Sequence, residues 1–154
     1  MIVLESIPTV IRQATSTDVD ALTTIMNEYI GDFYQKPKPA VEKLHHLIHT
    51  LLELQLGVQF VVEQNNQTVG FATLYFSFSS IKAEKVTIMN DLYLQEHLRD
   101  TEVEVQLFKH CHKYTQDHGF AHMSWVAAPH NTRAHRFFDQ MGCTRIDWVD
   151  YMIV

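Results

Sequence analysis

The segment from Asn90 to Phe108 constrains the fold of this chain more than any other part of it. A short apolar strand ends at Leu94, a turn follows, and a helix is predicted over residues 101–118. That helix is indicated by apolar side chains at helical spacing, namely Val103, Leu107, Cys111 and Tyr114. The segment therefore predicts a strand that leads directly into an amphipathic helix.

Three carboxylates stand at the start of this helix: Asp100, Glu102 and Glu104. A carboxylate in the first turn of a helix stabilises it by about 0.3–1 kcal/mol through the helix dipole. The same carboxylates would repel a bound phosphate by roughly 3 kcal/mol for each close pair at an effective dielectric constant near 20. The three carboxylates thus favour the start of the helix and disfavour the binding of an anion there.

Hydrophobic periodicity divides the rest of the chain into strands and helices. The predicted order is a strand, two helices, three strands, a helix, a strand, a short helix and a closing strand. The corresponding residues are 9–14, 18–31, 40–56, 58–64, 68–80, 86–94, 101–118, 121–128, 131–141 and 144–154. This order predicts a mixed α/β fold. The chain has 154 residues and no linker or repeat, so we expect a single domain over residues 1–154.

Composition and charge exclude several classes of partner. A formal net charge of -6 argues against nucleic acid and anionic membranes, which both need a basic surface. Residues 1–8 lack the pattern of a leader peptide, and no apolar stretch has the length of a membrane span, so a cytoplasmic location is expected. The two cysteines, Cys111 and Cys143, lack CxxC spacing and are predicted to be core residues.

A metal site is not predicted, although the chain has ten histidines. His45 and His49 lie one helical turn apart, and His110 and His112 are close in sequence. No carboxylate or cysteine completes a ligand set with either pair. Solvated helix faces account for these side chains.

The Asp91-Leu92-Tyr93-Leu94 strand and the positions of Arg99 and Leu107 resemble the signature of the GNAT N-acetyltransferases. In that signature a strand of the type Asp-Leu-Tyr-Val precedes Arg-Gly-x-Gly-x-Gly-x-x-Leu at the start of a helix. Residues 131–142 resemble the second signature of the family, Asn-x-x-Ala-x-x-Phe-Tyr followed by glycine; the agreeing residues are Asn131, Ala134, Phe137 and Gly142. Similarity to the diamine and polyamine branch rests on residues 11–15, the Asp-Leu-Tyr strand and residues 125–142.

This resemblance implies a fold, a reaction and a set of partners. The GNAT fold has a central, mostly antiparallel sheet flanked by about four helices. The family transfers an acetyl group from acetyl-CoA to an amine, so the implied partners are acetyl-CoA and a small-molecule amine. Family habit and an aromatic strand surface also suggest a homodimer.

The resemblance also implies a cofactor site. In the family the cofactor pyrophosphate lies on backbone N–H groups at the helix start, and the acetyl group and pantetheine arm lie along the preceding strand. Carried over, this assigns tetrahedral-intermediate binding to the backbone at Leu94. The implied cofactor contacts are Leu92, Tyr93, Leu94, Arg99, Asp100, Thr101, Glu102, Val103, Glu104, Asn131 and Phe138.

Several positions depart from the family pattern. The three cradle glycines are replaced by the carboxylates at the helix start, and Phe138 replaces a tyrosine that often protonates the departing thiolate. Asn90 lies near the position of a glutamate base in the polyamine branch, which leaves Asp91 as the candidate base. Strand alternation predicts that Asp91 faces away from Asn90. Arg99 is expected either near the phosphates or paired with Asp100 or Glu102.

Three functions remain open on this sequence. The first is a GNAT N-acetyltransferase that acts on a small amine. The second is a non-catalytic GNAT-fold sensor or dimeric interaction module that has lost acetyl-CoA binding. The third is an enzyme that uses another acyl donor, one without a pyrophosphate at the helix start.

Overall fold

The computed structural model describes residues 7–154 and confirms a mixed α/β fold with four helices and a five-stranded sheet. The helices are α1 (Val19–Glu28), α2 (Val41–Leu54), α3 (Glu102–Asp117) and α4 (Thr132–Gln140). The strands are β1 (Thr9–Gln13), β2 (Gly57–Gln64), β3 (Gln67–Ser79), β4 (Glu84–Leu94) and β5 (Met123–Ser124). Short 3-10 turns cover Ser16–Asp18 and Glu96–Leu98.

The sheet has the strand order β1-β2-β3-β4-β5, and the first four strands are antiparallel. Asn65 and Asn66 join β2 to β3 in a two-residue turn with φ of 51° and 59°, the left-handed geometry that asparagine tolerates in tight hairpins. β5 is parallel to β4 and pairs with it only through Met123 and Ser124. The strand predicted over residues 121–128 is therefore much shorter than expected.

The sheet separates two hydrophobic cores because successive strand residues point to opposite faces. On one face, Val62 and Leu74 pack in a core that includes Leu107 of α3. On the other face, Val61 and Phe71 pack in a core that includes side chains of α1 and α2. Apolar side chains at helical spacing in and just after α1 lie in that core: Val19, Leu22, Ile25, Met26 and Tyr29.

The first helix differs from its prediction at its end. A helix was predicted over residues 18–31, but α1 ends at Glu28 and continues as a π-helical turn over Tyr29–Phe33. At the start, the Thr15 N–H donates to Asp18 Oδ2 over 2.7 Å. Arg12 fixes the same carboxylate through two hydrogen bonds of 2.8 Å, which ties β1 to the start of the helical region.

The closing strand predicted over residues 144–154 is wrong for the single chain. These residues form no strand, and every one of them is exposed. They lie beyond the end of α4, where the sheet of the same chain does not pair with them.

Candidate functional site

A β-bulge in β4 shapes the centre of the molecule. Thr73 pairs with Asp91, and Leu74 pairs with Met89, so Asn90 is an extra residue in β4. The bulge interrupts the alternation of side chains, and Asn90 Nδ2 donates to Asp91 Oδ1 over 3.2 Å. The prediction that Asp91 faces away from Asn90 is therefore wrong, because strand alternation does not hold across a bulge.

Asp91 lies in a buried polar cluster and is only 8% exposed. Burial raises the pKa of its carboxyl group, and hydrogen bonds from Thr73, Asn90 and Tyr29 oppose that rise. Gln59 Nε2 donates to Thr73 Oγ1 over 3.0 Å and so holds one of these donors in place. A buried carboxyl group with a raised pKa is typical of a residue that exchanges a proton in a functional site.

Two tyrosines connect this cluster with the surface. In the π-helical turn, the Tyr34 N–H donates to the Tyr29 carbonyl oxygen over 3.1 Å. This hydrogen bond spans five residues, one more than in an α-helix, and so brings Tyr34 next to Tyr29. Their hydroxyl oxygens are 3.3 Å apart. Burial and the nearby Asp91 raise the pKa of Tyr29, so its hydroxyl keeps its proton. Tyr34 is exposed, and the chain of hydroxyls thus reaches solvent.

Arg99 lies over aromatic rings at the end of β4. Its Nε donates to the Leu94 carbonyl oxygen over 2.9 Å. The centre of its guanidinium is 5.0 Å from the Phe33 ring centroid and 5.5 Å from that of Tyr93, within the range of cation–π attraction. Among the ion pairs of residues 7–154, Arg99 pairs with neither Asp100 nor Glu102. Its guanidinium instead contacts the two rings and the carbonyl oxygen.

The start of α3 is held by side chains of the chain itself. Asp100 has a φ of 58°, the left-handed conformation in which a glycine would be unstrained. The Asp100 N–H donates to Glu104 Oε1 over 3.1 Å. Thr101 is the N-cap, and its hydroxyl accepts from the Val103 N–H over 3.3 Å. Two backbone donors of this turn therefore already have acceptors.

The three carboxylates at the helix start are not equivalent. Glu104 is buried, at 3% exposed, and accepts from Arg133 of α4 over 2.8 Å. The same Arg133 nitrogen reaches Asp100 Oδ1 at 3.2 Å. Glu102 is exposed and accepts from Gln106 one helical turn later over 2.7 Å. Arg133 thus compensates part of the negative charge that the sequence places at this turn.

The remaining predicted site residues have structural contacts. Asn131 caps α4, where its Oδ1 accepts from the Ala134 N–H over 3.2 Å. The Phe138 ring lies 5.0 Å from Trp125 and 6.0 Å from Phe108, in a group of edge-on and tilted aromatic rings. Leu92 and Val103 pack against the same core. Phe138 and Phe108 therefore join α4 to α3 in this core.

The pairing of β4 with β5 covers only a small part of β4. Their pairing ends at Ile88 and Ser124, while β4 continues along β3 as far as Leu94. Within residues 7–154, no strand pairs with β4 on the β5 side beyond Ile88. Residues 89–94 of β4 are therefore paired with β3 alone among the described strands.

Two cavities lie elsewhere in the molecule. One of about 550 Å³ lies over the outer face of α4, where Pro129, His135 and Arg145 contribute to its wall. Another of about 350 Å³ lies between the end of α2 and the end of α3, next to Gly57 and His118. Neither is lined by a residue that the motifs assign to the cofactor. The residues that the motifs assign to the cofactor instead include the end of β4, which follows the bulge at Asn90 and the buried Asp91.

Further features concern metals and membranes. Within the part of the chain that the structure describes, no three histidine, cysteine or acidic side chains are placed to bind a metal ion. None of the helices in residues 7–154 combines the length and the apolar character needed to cross a bilayer.

Sequence reasoning missed several members of this site. Arg133 lies 29 residues from Glu104 in the chain, and the Tyr29–Tyr34 contact depends on a π-helical turn. Motif spacing carries no signal for either contact. A left-handed residue at Asp100 was detectable in principle, since the family pattern has glycine at that position.

Known proteins match this chain in both sequence and structure. Residues 22–143 match the acetyltransferase (GNAT) family. The uncharacterized N-acetyltransferase YhfO of Bacillus subtilis (strain 168) is 27% identical over 132 residues, which cover 86% of this chain and 87% of that relative.

Solved structures agree on the fold. The crystal structure of a probable acetyltransferase superposes with a TM-score of 0.81 at 24% identity, covering 94% of this chain and 96% of that one. The aminoglycoside N-acetyltransferase AAC(6')-Iy, in complex with CoA, gives a TM-score of 0.81 at 15% identity, with 99% of each chain covered. The match over residues 22–143 spans most of the sequence, and the chain therefore belongs to the acetyltransferase (GNAT) family.

Proposed function

We propose that this protein transfers an acetyl group from acetyl-CoA to the nitrogen of a small amine. The observation that carries the proposal is the separation of β4 from β5 beyond Ile88, next to the bulge at Asn90. An extended strand edge without a partner offers backbone groups to an extended ligand, and the pantetheine arm is such a ligand. Leu92, Tyr93 and Leu94 supply that edge, with the backbone at Leu94 next to the reacting carbonyl.

The phosphates of the cofactor lie, in this proposal, at the start of α3. Residues 99–104 surround them, and Asn131 and Phe138 shape the adjoining wall. The Asp100 N–H is already bonded to Glu104, so fewer backbone donors face the phosphates than in a glycine-rich turn. We therefore propose that acetyl-CoA is bound mainly through its pantetheine arm and only weakly through its phosphates.

The reaction forms a C–N bond and breaks the C–S bond of the thioester. The amine nitrogen attacks the carbonyl carbon, and the coenzyme A thiolate leaves. Asp91 is the proposed base, and it receives the proton of the nitrogen through the hydroxyls of Tyr34 and Tyr29. Phe138 has no proton to donate, so the thiolate takes its proton from water.

Calorimetric titration with acetyl-CoA and with S-acetylpantetheine tests the binding mode. The two ligands share the thioester and differ in the phosphates, so we expect similar affinities for the unmodified protein. Glu104→Gln removes a buried negative charge and should raise the affinity for acetyl-CoA alone by about tenfold or more. Glu102→Gln is the matched control, since that side chain is exposed on the same helical turn. Equal gains with both variants would contradict this binding mode.

Turnover tests the reaction itself. Release of free thiol from acetyl-CoA in the presence of short diamines and polyamines should depend on the amine. Asp91→Asn should lower kcat with little change in the KM for acetyl-CoA, because Asp91 belongs to β4 and is not among the proposed phosphate contacts at residues 99–104. Thiol release that is independent of amine would contradict amine acetylation.

A second candidate is a non-catalytic GNAT-fold sensor or interaction module. The observation that favours it is the Asp100 N–H bond to Glu104, which fills the helix start from within the protein. This candidate predicts no binding heat with acetyl-CoA for either the unmodified protein or the Glu104→Gln variant. Binding by the unmodified protein with turnover of an amine would exclude it.

A further inference from the structure

Arg99 has hydrogen-bond donors that the rest of the described chain leaves unused. Its Nε donates to the Leu94 carbonyl oxygen over 2.9 Å. Among residues 7–154, neither Nη1 nor Nη2 of Arg99 has an acceptor at hydrogen-bond distance. These two nitrogens carry four of the five N–H donors of a guanidinium. Arg99 is therefore a cation with most of its donors open to a ligand.

Two aromatic rings hold this guanidinium. Its centre is 5.0 Å from the Phe33 ring centroid and 5.5 Å from that of Tyr93, and the two centroids are 6.0 Å apart. Contact with a ring uses the face of a guanidinium, whereas its N–H groups point outward in the plane. Phe33 is 38% exposed, so the cation lies at the surface. The rings thus fix the donors without satisfying them.

The guanidinium lies on the face of the sheet that α1 and α2 cover. Tyr93 belongs to the core on that face, together with Tyr29 and Phe71. Leu107 of α3 belongs to the core on the opposite face. Arg99 therefore contacts rings on the face opposite α3, the helix at whose start the phosphates are proposed to lie.

Within residues 7–154, no carboxylate forms an ion pair with Arg99, since the arginine ion pairs there all involve other residues. Burial and Glu28 raise the pKa of Tyr93, and Arg99 opposes that rise. The adjacent Tyr93 hydroxyl thus keeps its proton and supplies no negative charge. A planar carboxylate fits the open edge of a guanidinium through two parallel hydrogen bonds. The group that suits this site is a carboxylate supplied by a ligand.

Phe33 connects this cation with the proposed proton route. The Phe33 ring is 5.1 Å from that of Tyr34, and the Tyr34 hydroxyl oxygen is 3.3 Å from that of Tyr29. Asp91, the proposed base, lies at the inner end of this route. Because Arg99 and Tyr34 both contact the Phe33 ring, a ligand that reaches both needs only a few bonds between its amine and its anionic group.

We propose that the acceptor amine carries a carboxylate, as a short amino acid does, and that Nη1 and Nη2 of Arg99 bind this carboxylate. The inference rests on the proposed acetyl transfer and narrows its acceptor. The transfer forms the C–N bond of an amide and breaks the C–S bond of the thioester, with coenzyme A as the leaving group and the amine proton passing to the tyrosine hydroxyls. The carboxylate is unchanged, and its role is to hold the amine in place.

The acceptor preference of the unmodified protein tests the proposal. Glycine, β-alanine and γ-aminobutyrate are each compared with the diamine in which an aminomethyl group replaces the carboxylate. Thiol release from acetyl-CoA should favour at least one amino acid over its diamine by about tenfold or more in kcat/KM. The net charge of -6 acts in the opposite direction, because it attracts the diamine more strongly. Transfer to the diamines without preference for any amino acid overturns the inference and leaves acetyl transfer standing.

Arg99→Gln assigns the preference to this side chain. The variant loses the charge and the open donors, so the ratio of kcat/KM between the amino acid and its diamine should fall by about tenfold or more. The matched control is Arg136→Gln, which removes an exposed arginine of α4 and should leave the ratio unchanged. An unchanged ratio in Arg99→Gln overturns the inference. So does a loss of affinity for acetyl-CoA without a loss for S-acetylpantetheine, because Arg99 then binds the phosphates.

Calorimetric titration tests the carboxylate site without turnover. The same three amino acids are titrated into the protein with and without coenzyme A, and Arg99→Gln should weaken the binding of the preferred one by about tenfold or more, while Arg136→Gln should not. Binding that depends on Arg99, without transfer to any amine, would support the carboxylate site and contradict acetyl transfer. Absence of binding by all three amino acids in both conditions overturns the inference.

Discussion

The Asp100 N–H donates a hydrogen bond to the Glu104 carboxylate over 3.1 Å. The donor belongs to the turn before α3, and the acceptor is buried in the first turn of the helix. A bound phosphate at a helix start would use the same kind of donor. We infer that the protein supplies its own anion at this position and uses Arg133 to compensate the charge.

Arg133→Ala should destabilise the fold, because it leaves Glu104 buried without its cationic partner. We expect a loss of about 1–3 kcal/mol in the free energy of unfolding, measured by urea denaturation. Arg145→Ala is the control, since Arg145 and Asp139 form an exposed pair that contributes about 0–1 kcal/mol. Similar losses in the two variants would show that the Arg133 contact is no stronger than a surface ion pair.

Replacement of Asp100 should reveal the strain of its left-handed backbone. Asp100→Gly should be more stable than Asp100→Ala by about 1 kcal/mol, because glycine adopts positive φ without steric cost. At the exposed Lys109, in the interior of α3, alanine should instead be more stable than glycine by about 1 kcal/mol. Thermal unfolding of the four variants measures whether glycine or alanine is the more stable at each position. The same order at both positions would contradict the assigned conformation of Asp100.

Asp91→Asn should change how stability depends on pH. Burial raises the pKa of Asp91, so the folded protein binds this proton more tightly than the unfolded chain does. Stability therefore falls as pH rises from the ordinary carboxyl range through the raised pKa, and then levels off. In urea denaturation from about pH 4 to about pH 8, the free energy of unfolding of the variant should increase relative to that of the unmodified protein as pH rises. Asp147→Asn controls for the loss of one exposed negative charge. A constant difference between Asp91→Asn and the unmodified protein would contradict this assignment.

Asp18→Asn should have the opposite dependence on pH. Hydrogen bonds from Arg12 lower the pKa of Asp18, against the effect of burial and with help from Thr15. The stabilisation is therefore present above the ordinary carboxyl range and is lost as pH falls through the lowered pKa. At neutral pH we expect the variant to lose about 1.5–3 kcal/mol, and the two proteins to converge in acid. Asp139→Asn, in an exposed pair, should cost about 0–1 kcal/mol.

Much of the fold was predictable from local patterns. The apolar spacing of α3 predicts its buried face correctly, because the side chains at that spacing are the ones that pack against the sheet. The extent of β5 was not predictable in the same way. A parallel strand is held by a partner far away in the sequence, and β4 provides that partner for only two residues.

Some features of the candidate site were also predictable from the sequence, and others were not. Motif spacing by itself determined that the chain has GNAT signatures, that carboxylates replace the glycines before α3, and that Phe138 replaces a tyrosine. These are properties of residue type and position, which the chain carries whether folded or not. Only the tertiary structure decided that Asn90 bulges beside Asp91, that Glu104 is buried against Arg133, and that residues 144–154 are exposed and form no strand. Each of these depends on which distant groups the fold brings within hydrogen-bond distance, and no local pattern encodes that distance.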